Sequence, residues 1–153
     1  LSILLCSILV GMGLGSYSGN VIKTANPYRR LLYSLIAILI SGLIAITLYP
    51  VILESLLGSD RFIRAITTFL LILPLGFVLG IPFPTSIRIL KNQEFNQYIP
   101  WMYGVNGSMT ILGSVLTVVI SMIYGFTATF IAGLAFYLAI VAILLLDRDQ
   151  QLV

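Results

Sequence analysis

The chain of 153 residues is 59% hydrophobic and 8% charged, with a mean hydropathy of +1.11, against about 25% charged residues in a typical soluble domain. Too few ionisable groups remain to solvate a surface, so a water-soluble globule is excluded and most of the chain must sit in lipid or against other apolar helices. The net charge of +3 does not point to nucleic acid, because the basic residues are spread over short connections between apolar runs and form no phosphate-tracking patch.

Charge-free stretches at 1–22, 31–53, 65–87 and 95–146 organise the chain. A helix needs roughly 20 apolar residues to cross about 30 Å of hydrocarbon. Each of the first three stretches can therefore cross once, while the fourth holds two crossings with a turn at Tyr124-Gly125-Phe126. The expected fold class is all-α: a polytopic transmembrane helix bundle of about five spans, near 1–20, 31–49, 63–81, 101–123 and 126–146. Membrane strands are a poor competitor, since they alternate apolar and polar residues over about 10 positions and these runs do not. Leu1 already lies inside an apolar run without an initiator Met, so a longer parent chain is expected.

In and beside the spans, four prolines demand an explanation. Pro50 predicts a kink or an end of the second span, and Pro74 lies in the middle of the third. Pro82-Phe83-Pro84 should stop the third span, since proline offers no N–H and restricts the residue before it; residues 85–95 then form a short interfacial helix.

Orientation follows from the charges. Lys23, Arg29 and Arg30, then Arg88 and Lys91, then Arg148 fall on one side, and Arg61 and Arg64 on the other, beside Glu54 and Asp60: six basic residues against two. The positive-inside rule puts segments 21–30 and 82–100 and the C-terminus in the cytoplasm. Tyr28 and Tyr33 flank the second span, and Tyr98, Trp101 and Tyr103 flank the fourth, as interface anchors.

Small residues mark candidate packing faces. Gly11, Gly15 and Gly19 recur every four positions in the first span, Gly76 and Gly80 repeat the spacing in the third, and Gly104, Gly107 and Ser108 give a small face to the start of the fourth. Without a hydrophobic force between helices in lipid, such strips let two backbones approach closely; a hinge or a substrate path is the alternative reading. Gly11-Met-Gly-Leu-Gly only imitates a dinucleotide loop: the spacing is wrong, the context is an apolar span, and basic residues follow where an acid should.

Asn106 is the most informative polar side chain, because an unpaired amide one turn inside a span is costly. Two readings stand: a hydrogen bond to carbonyls freed by the Pro82–Pro84 break, or ligand binding. Arg88 can snorkel to lipid phosphate or hold an anionic ligand. Cys6 is the sole cysteine and there is no histidine, which rules out an internal disulfide, a Cys/His zinc site and a Ser-His or Cys-His pair within this sequence. No Asp, Glu, Lys or Arg falls in the middle of an expected span, so no proton relay is visible.

Leu79-Gly80-Ile81-Pro82-Phe83-Pro84, then Pro100-Trp101-Met102-Tyr103-Gly104-Val105-Asn106-Gly107, Leu112-Gly113-Ser114-Val115-Leu116 and Tyr124-Gly125-Phe126 form an ordered series. The series resembles the C-terminal membrane region of spermidine synthase-like membrane proteins, the fused major-facilitator/spermidine synthase type. The resemblance covers essentially the whole chain, with Ile81 in place of the family's Met and Thr85-Ser86 where apolar or glycine residues are usual. It implies a parent protein whose soluble, aminopropyltransferase-like part binds decarboxylated S-adenosylmethionine and a polyamine. No catalytic or cofactor-binding residue of that part can be carried onto this sequence. The implied partners are the bilayer, the remaining domains of the parent chain and a polyamine or related small molecule; the implied location is a bacterial inner membrane. A half of a secondary transporter and a purely structural scaffold are the rival expectations.

Overall fold

The computed structural model describes residues 2–21 and 26–150, with side chains placed over 2–18 and 26–146. It is all-helical, and no strand occurs among the described residues. The order is α1 (Ser2–Val21), α2 (Pro27–Ser55), α3 (Arg61–Leu79), α4 (Pro82–Asn92), a short 3-10 turn (Asn96–Tyr98) and α5 (Ile99–Gln150). Three stretches are long and apolar enough to cross a membrane, Pro27–Ser55, Arg61–Asn92 and Asn96–Leu146, while the apolar part of α1, Ser2–Ser18, is shorter. The chain divides into two compact units, Leu1–Thr85 and Ser86–Val153.

In the first unit, α3 packs against both α1 and α2. Ser7 of α1 bonds the Phe69 carbonyl and Gly11 and Gly15 face Leu73 through Gly80, so α1 and α3 run parallel. Helix α2 returns between them in sequence: the Arg30 guanidinium at its start donates to Ser18 Oγ near the end of α1 at 3.2 Å, and the Tyr49 hydroxyl near its end donates to the Leu71 carbonyl. The end of α1, the start of α2 and the end of α3 therefore share one end of the unit, which carries Arg29 and Arg30 of the first basic group. Lys23 of that group lies outside the described residues.

Helix ends depart from the sequence expectations for definable reasons. Asn26 caps α2, its side chain accepting from the N–H groups of Tyr28 and Arg29 at 3.1 and 3.4 Å, and Pro27 supplies a pre-set first turn. Arg29 and Arg30 are thus helical, and the connection is shorter than 21–30. Pro50 does not end α2, which runs on to Ser55; one proline removes a single ladder bond, and membrane helices tolerate that loss. Asp60 caps α3 by accepting from Arg61 N–H at 2.7 Å, so this helix starts at Arg61 and passes through Pro74 unbroken.

The break expected at Pro82-Phe83-Pro84 falls earlier. Helix α3 stops at Leu79 with Gly80 as its C-cap, and Pro82 and Pro84 open α4. Proline is well placed in a first turn, where its missing donor has no partner to lose. The short helix expected after the break is therefore 82–92, and much of the segment 82–100 is helical. Helix α4 ends in a Schellman motif: Phe95 N–H donates to the Leu90 carbonyl at 3.0 Å and Glu94 N–H to the Lys91 carbonyl at 3.3 Å, with Glu94 left-handed at φ 64°.

In the second unit, α5 is interrupted only at Gly125, with φ 83° and ψ 169°. That conformation is essentially open to glycine alone. The expected turn at Tyr124-Gly125-Phe126 is thus a one-residue break, and the helix on each side of it, 99–124 and 126–146, spans more than about 30 Å.

Candidate functional site

The best-defined construction is the seam between α1 and α3. A Cβ placed on Gly11 would lie 2.6 Å from the Leu73 carbonyl oxygen and 2.8 Å from Phe77 N. One on Gly15 would fall onto the Phe77 carbonyl oxygen, with Phe77 C at 2.9 Å and Gly80 Cα at 3.3 Å. From the other side, a Cβ on Gly76 would meet the Ile8 carbonyl oxygen at 2.8 Å, and one on Gly80 would collide with the Met12 carbonyl. All these obstacles are backbone atoms, which cannot rotate away. Gly11, Gly15, Gly76 and Gly80 are therefore brought together, backbone on backbone, as the four-residue spacing predicts.

Ser7 extends the seam by another turn. It is fully buried, and its hydroxyl donates to the Phe69 carbonyl at 2.6 Å. The sequence reading missed it, although Ser7, Gly11 and Gly15 keep the same spacing. The surroundings of Gly19 lie outside the described residues.

The remaining sequence candidates are placed on α4 and α5. Gly104 and Gly107 meet nothing within 4 Å of an added Cβ, and Ser108 is exposed, so this small face has no partner among the described residues. The Asn106 side chain is exposed and forms no hydrogen bond among the described residues; its backbone carbonyl accepts from Thr110 Oγ1 at 2.7 Å. Arg88 is half-buried on α4 and Lys91 exposed. Tyr98, Trp101 and Tyr103 are 50%, 73% and 57% exposed, and the Phe95 and Tyr98 rings meet edge to face with centroids 6.0 Å apart.

A second feature escaped the sequence reading. At about 100° per residue, the positions of α5 within one arc of about 120° are Asn106, Gly107, Thr110, Gly113, Ser114 and Thr117, preceded by Tyr103 and followed by Ser121 and Tyr124. Over 103–124 every residue in that arc is polar or glycine. The opposite side carries Val105, Met109, Leu112, Leu116 and Val119, with only Gly104 and Ser108 breaking the pattern. Three hydroxyls on the stripe donate to carbonyls of their own helix, Thr110 Oγ1 to Asn106 at 2.7 Å, Ser114 Oγ to Ile111 at 2.8 Å and Ser121 Oγ to Val118 at 2.9 Å. Because glycine, serine and threonine are only weakly polar, the stripe is invisible to a search for charges; a helical-wheel count over 103–124 finds it.

Among the described residues no group of three or more His, Cys, Asp or Glu is gathered to hold a metal ion. Comparison with known proteins places the chain in no family: no family model, no curated protein and no solved structure matches it.

Proposed function

We propose that this chain is the membrane domain of a spermidine synthase-like protein, a bundle of about five crossings that anchors a soluble aminopropyltransferase-like domain at the cytoplasmic face of a bacterial inner membrane. The observation that carries the reading is where the motif series falls on the structure. Gly80 ends α3, Pro82 and Pro84 open α4, Pro100 lies in the first turn of α5, and Gly125 breaks α5. Residues that bear the resemblance are thus those that set helix ends and breaks, which supports a shared architecture. Five crossings follow if α1 and both segments of α5 each cross once; the 20 residues of α1 suffice in length.

The polar stripe of α5 favours a second reading, in which the domain also passes a small amine. In hydrocarbon such a face must meet protein or water, and transport sites are built where broken helices present such faces. The full-length gene product, reconstituted in proteoliposomes, separates the two. An anchor predicts aminopropyl transfer from decarboxylated S-adenosylmethionine to a polyamine without saturable amine flux. Saturable flux that Asn106→Ala or Arg88→Ala abolishes supports transport, and neither activity overturns both readings.

A further inference from the structure

Helix α4 has 11 residues, about 16 Å of rise, roughly half of what a crossing needs. It sits in sequence between two long apolar helices, opened by Pro82 and closed by the left-handed Glu94. Short amphipathic helices with basic polar faces lie in the plane of the interface. On the helical wheel Phe83, Ile87 and Leu90 fall together on one side; Arg88 and Lys91, three positions apart and so neighbours on the surface, lie along the edge of that side, Lys91 about 40° from Ile87, and the buried Ile89 lies on the other with Asn92.

Neither cation is engaged: among the described residues no carboxylate pairs with Arg88 or Lys91, including the adjacent Glu94. Just beyond, Tyr98 and Trp101 are exposed aromatic residues with polar tips, the side chains that settle at headgroup depth. We infer that the Arg88–Lys91 edge of α4 holds the phosphate of an anionic phospholipid, with Tyr98 and Trp101 seated at the boundary of that lipid's headgroup and chains. Lipid is the fitting source because the phosphate layer is the anion present at the depth where such a helix lies. The other basic pair, Arg61 and Arg64, stands beside Glu54 and Asp60 and offers no such net charge. The inference rests on membrane placement alone, not on any activity of a parent protein.

Trp101 is the only tryptophan and reports on the site directly. The protein is reconstituted in phosphatidylcholine vesicles, and its fluorescence quenching by brominated phosphatidylglycerol is compared with that by brominated phosphatidylcholine at equal mole fraction. A cation near an anionic lipid surface is worth about a fivefold gain in association, so the anionic lipid should bind about fivefold or more tightly. Arg88→Gln and Lys91→Gln should each lower that preference by up to about fivefold. Arg88→Lys, which keeps the charge, should retain it, as should the control Arg61→Gln/Arg64→Gln. Equal quenching by the two lipids, or a preference surviving in the Arg88→Gln/Lys91→Gln variant, overturns the assignment. Displacement of the brominated anionic lipid by inorganic phosphate would also overturn it, by making a soluble anion the ligand.

Discussion

Replacing Gly15 by alanine tests the α1–α3 seam most sharply. The new methyl would land on the Phe77 carbonyl oxygen, 2.9 Å from Phe77 C and 3.3 Å from Gly80 Cα. Carbon atoms pack best at roughly 3.5–4.0 Å, so the two helices must part by about 1 Å. A gap of that size forfeits a quarter to a half of each atom-pair attraction of about 0.1–0.2 kcal/mol. Spread over some tens of pairs along the seam, the loss is about 2 kcal/mol, within the range of roughly 1–3 kcal/mol for overpacked interiors.

The geometry also ranks the positions. Gly15→Ala and Gly80→Ala should cost most, Gly11→Ala less and Gly76→Ala least of the four, since its nearest obstacles are at 2.8 and 3.1 Å. Gly13→Ala, on the same helix but with nothing within 4 Å, should cost nothing and serves as the control. Because one separation relieves both clashes, Gly15→Ala/Gly80→Ala should cost less than the sum of its parts. Unfolding titrations in mixed micelles, read by circular dichroism, measure each difference. If Gly13→Ala destabilises as much as Gly15→Ala, or if all five variants match the parent, the reasoning fails.

Other consequences are separable. Ser7→Ala removes the bond to the Phe69 carbonyl and should cost about 0.6–1 kcal/mol in the same titration. Glu94→Gly relieves a left-handed residue at the end of α4 and should stabilise by about 0.4–1 kcal/mol, whereas Gly125→Ala, at φ 83°, should destabilise by roughly 1–3 kcal/mol. In a Cys6→Ser background, single cysteines at Thr110, Ser114 and Thr117 should react with a membrane-impermeant thiol reagent faster than those at Leu112, Leu116 and Val119 if the α5 stripe lines water. Equal labelling on the two faces would remove the transport reading. Reporter fusions after Gly58 and after Lys91 should reveal opposite sides of the membrane.

The sequence was most legible where chemistry offered few alternatives. Glycine every fourth residue on an apolar helix marks a close-packing face in lipid, and the faces of Gly11 and Gly15 and of Gly76 and Gly80 were readable from spacing, whereas that the two faces meet each other was not. Helix ends were less legible because proline has two opposite meanings: Pro82 and Pro84 read as a stop but act as a start, and Pro50 read as a kink or an end, of which the end does not occur, since α2 runs on to Ser55. Which meaning prevails depends on whether the proline sits where an N–H is already unneeded, and that is fixed by a neighbouring cap such as Gly80. Asn106 drew attention as a lone amide. The more extended signal was the run of weakly polar residues on its own face, each too mild to stand out singly.

A thin core and a wide apolar surface together explain why small residues matter so much here. Among the described residues the buried hydrophobic side chains are Leu35, Ile38, Ala45, Ile89 and Val141, while Leu9, Leu43, Phe62, Leu70 and many similar residues are more than half exposed. In water that surface would drive aggregation; in lipid it is already solvated, so burying another leucine between helices gains little. Specific association must then come from what lipid cannot supply, namely close backbone contact and hydrogen bonds to carbonyls. Ser7 on Phe69, Tyr49 on Leu71 and the interleaved glycines of α1 and α3 are of that kind. Adding bulk at Gly15 should therefore harm the fold more than trimming Leu9, 68% exposed on the same helix, to alanine, an inversion of the order found in soluble proteins, where large-to-small core changes dominate.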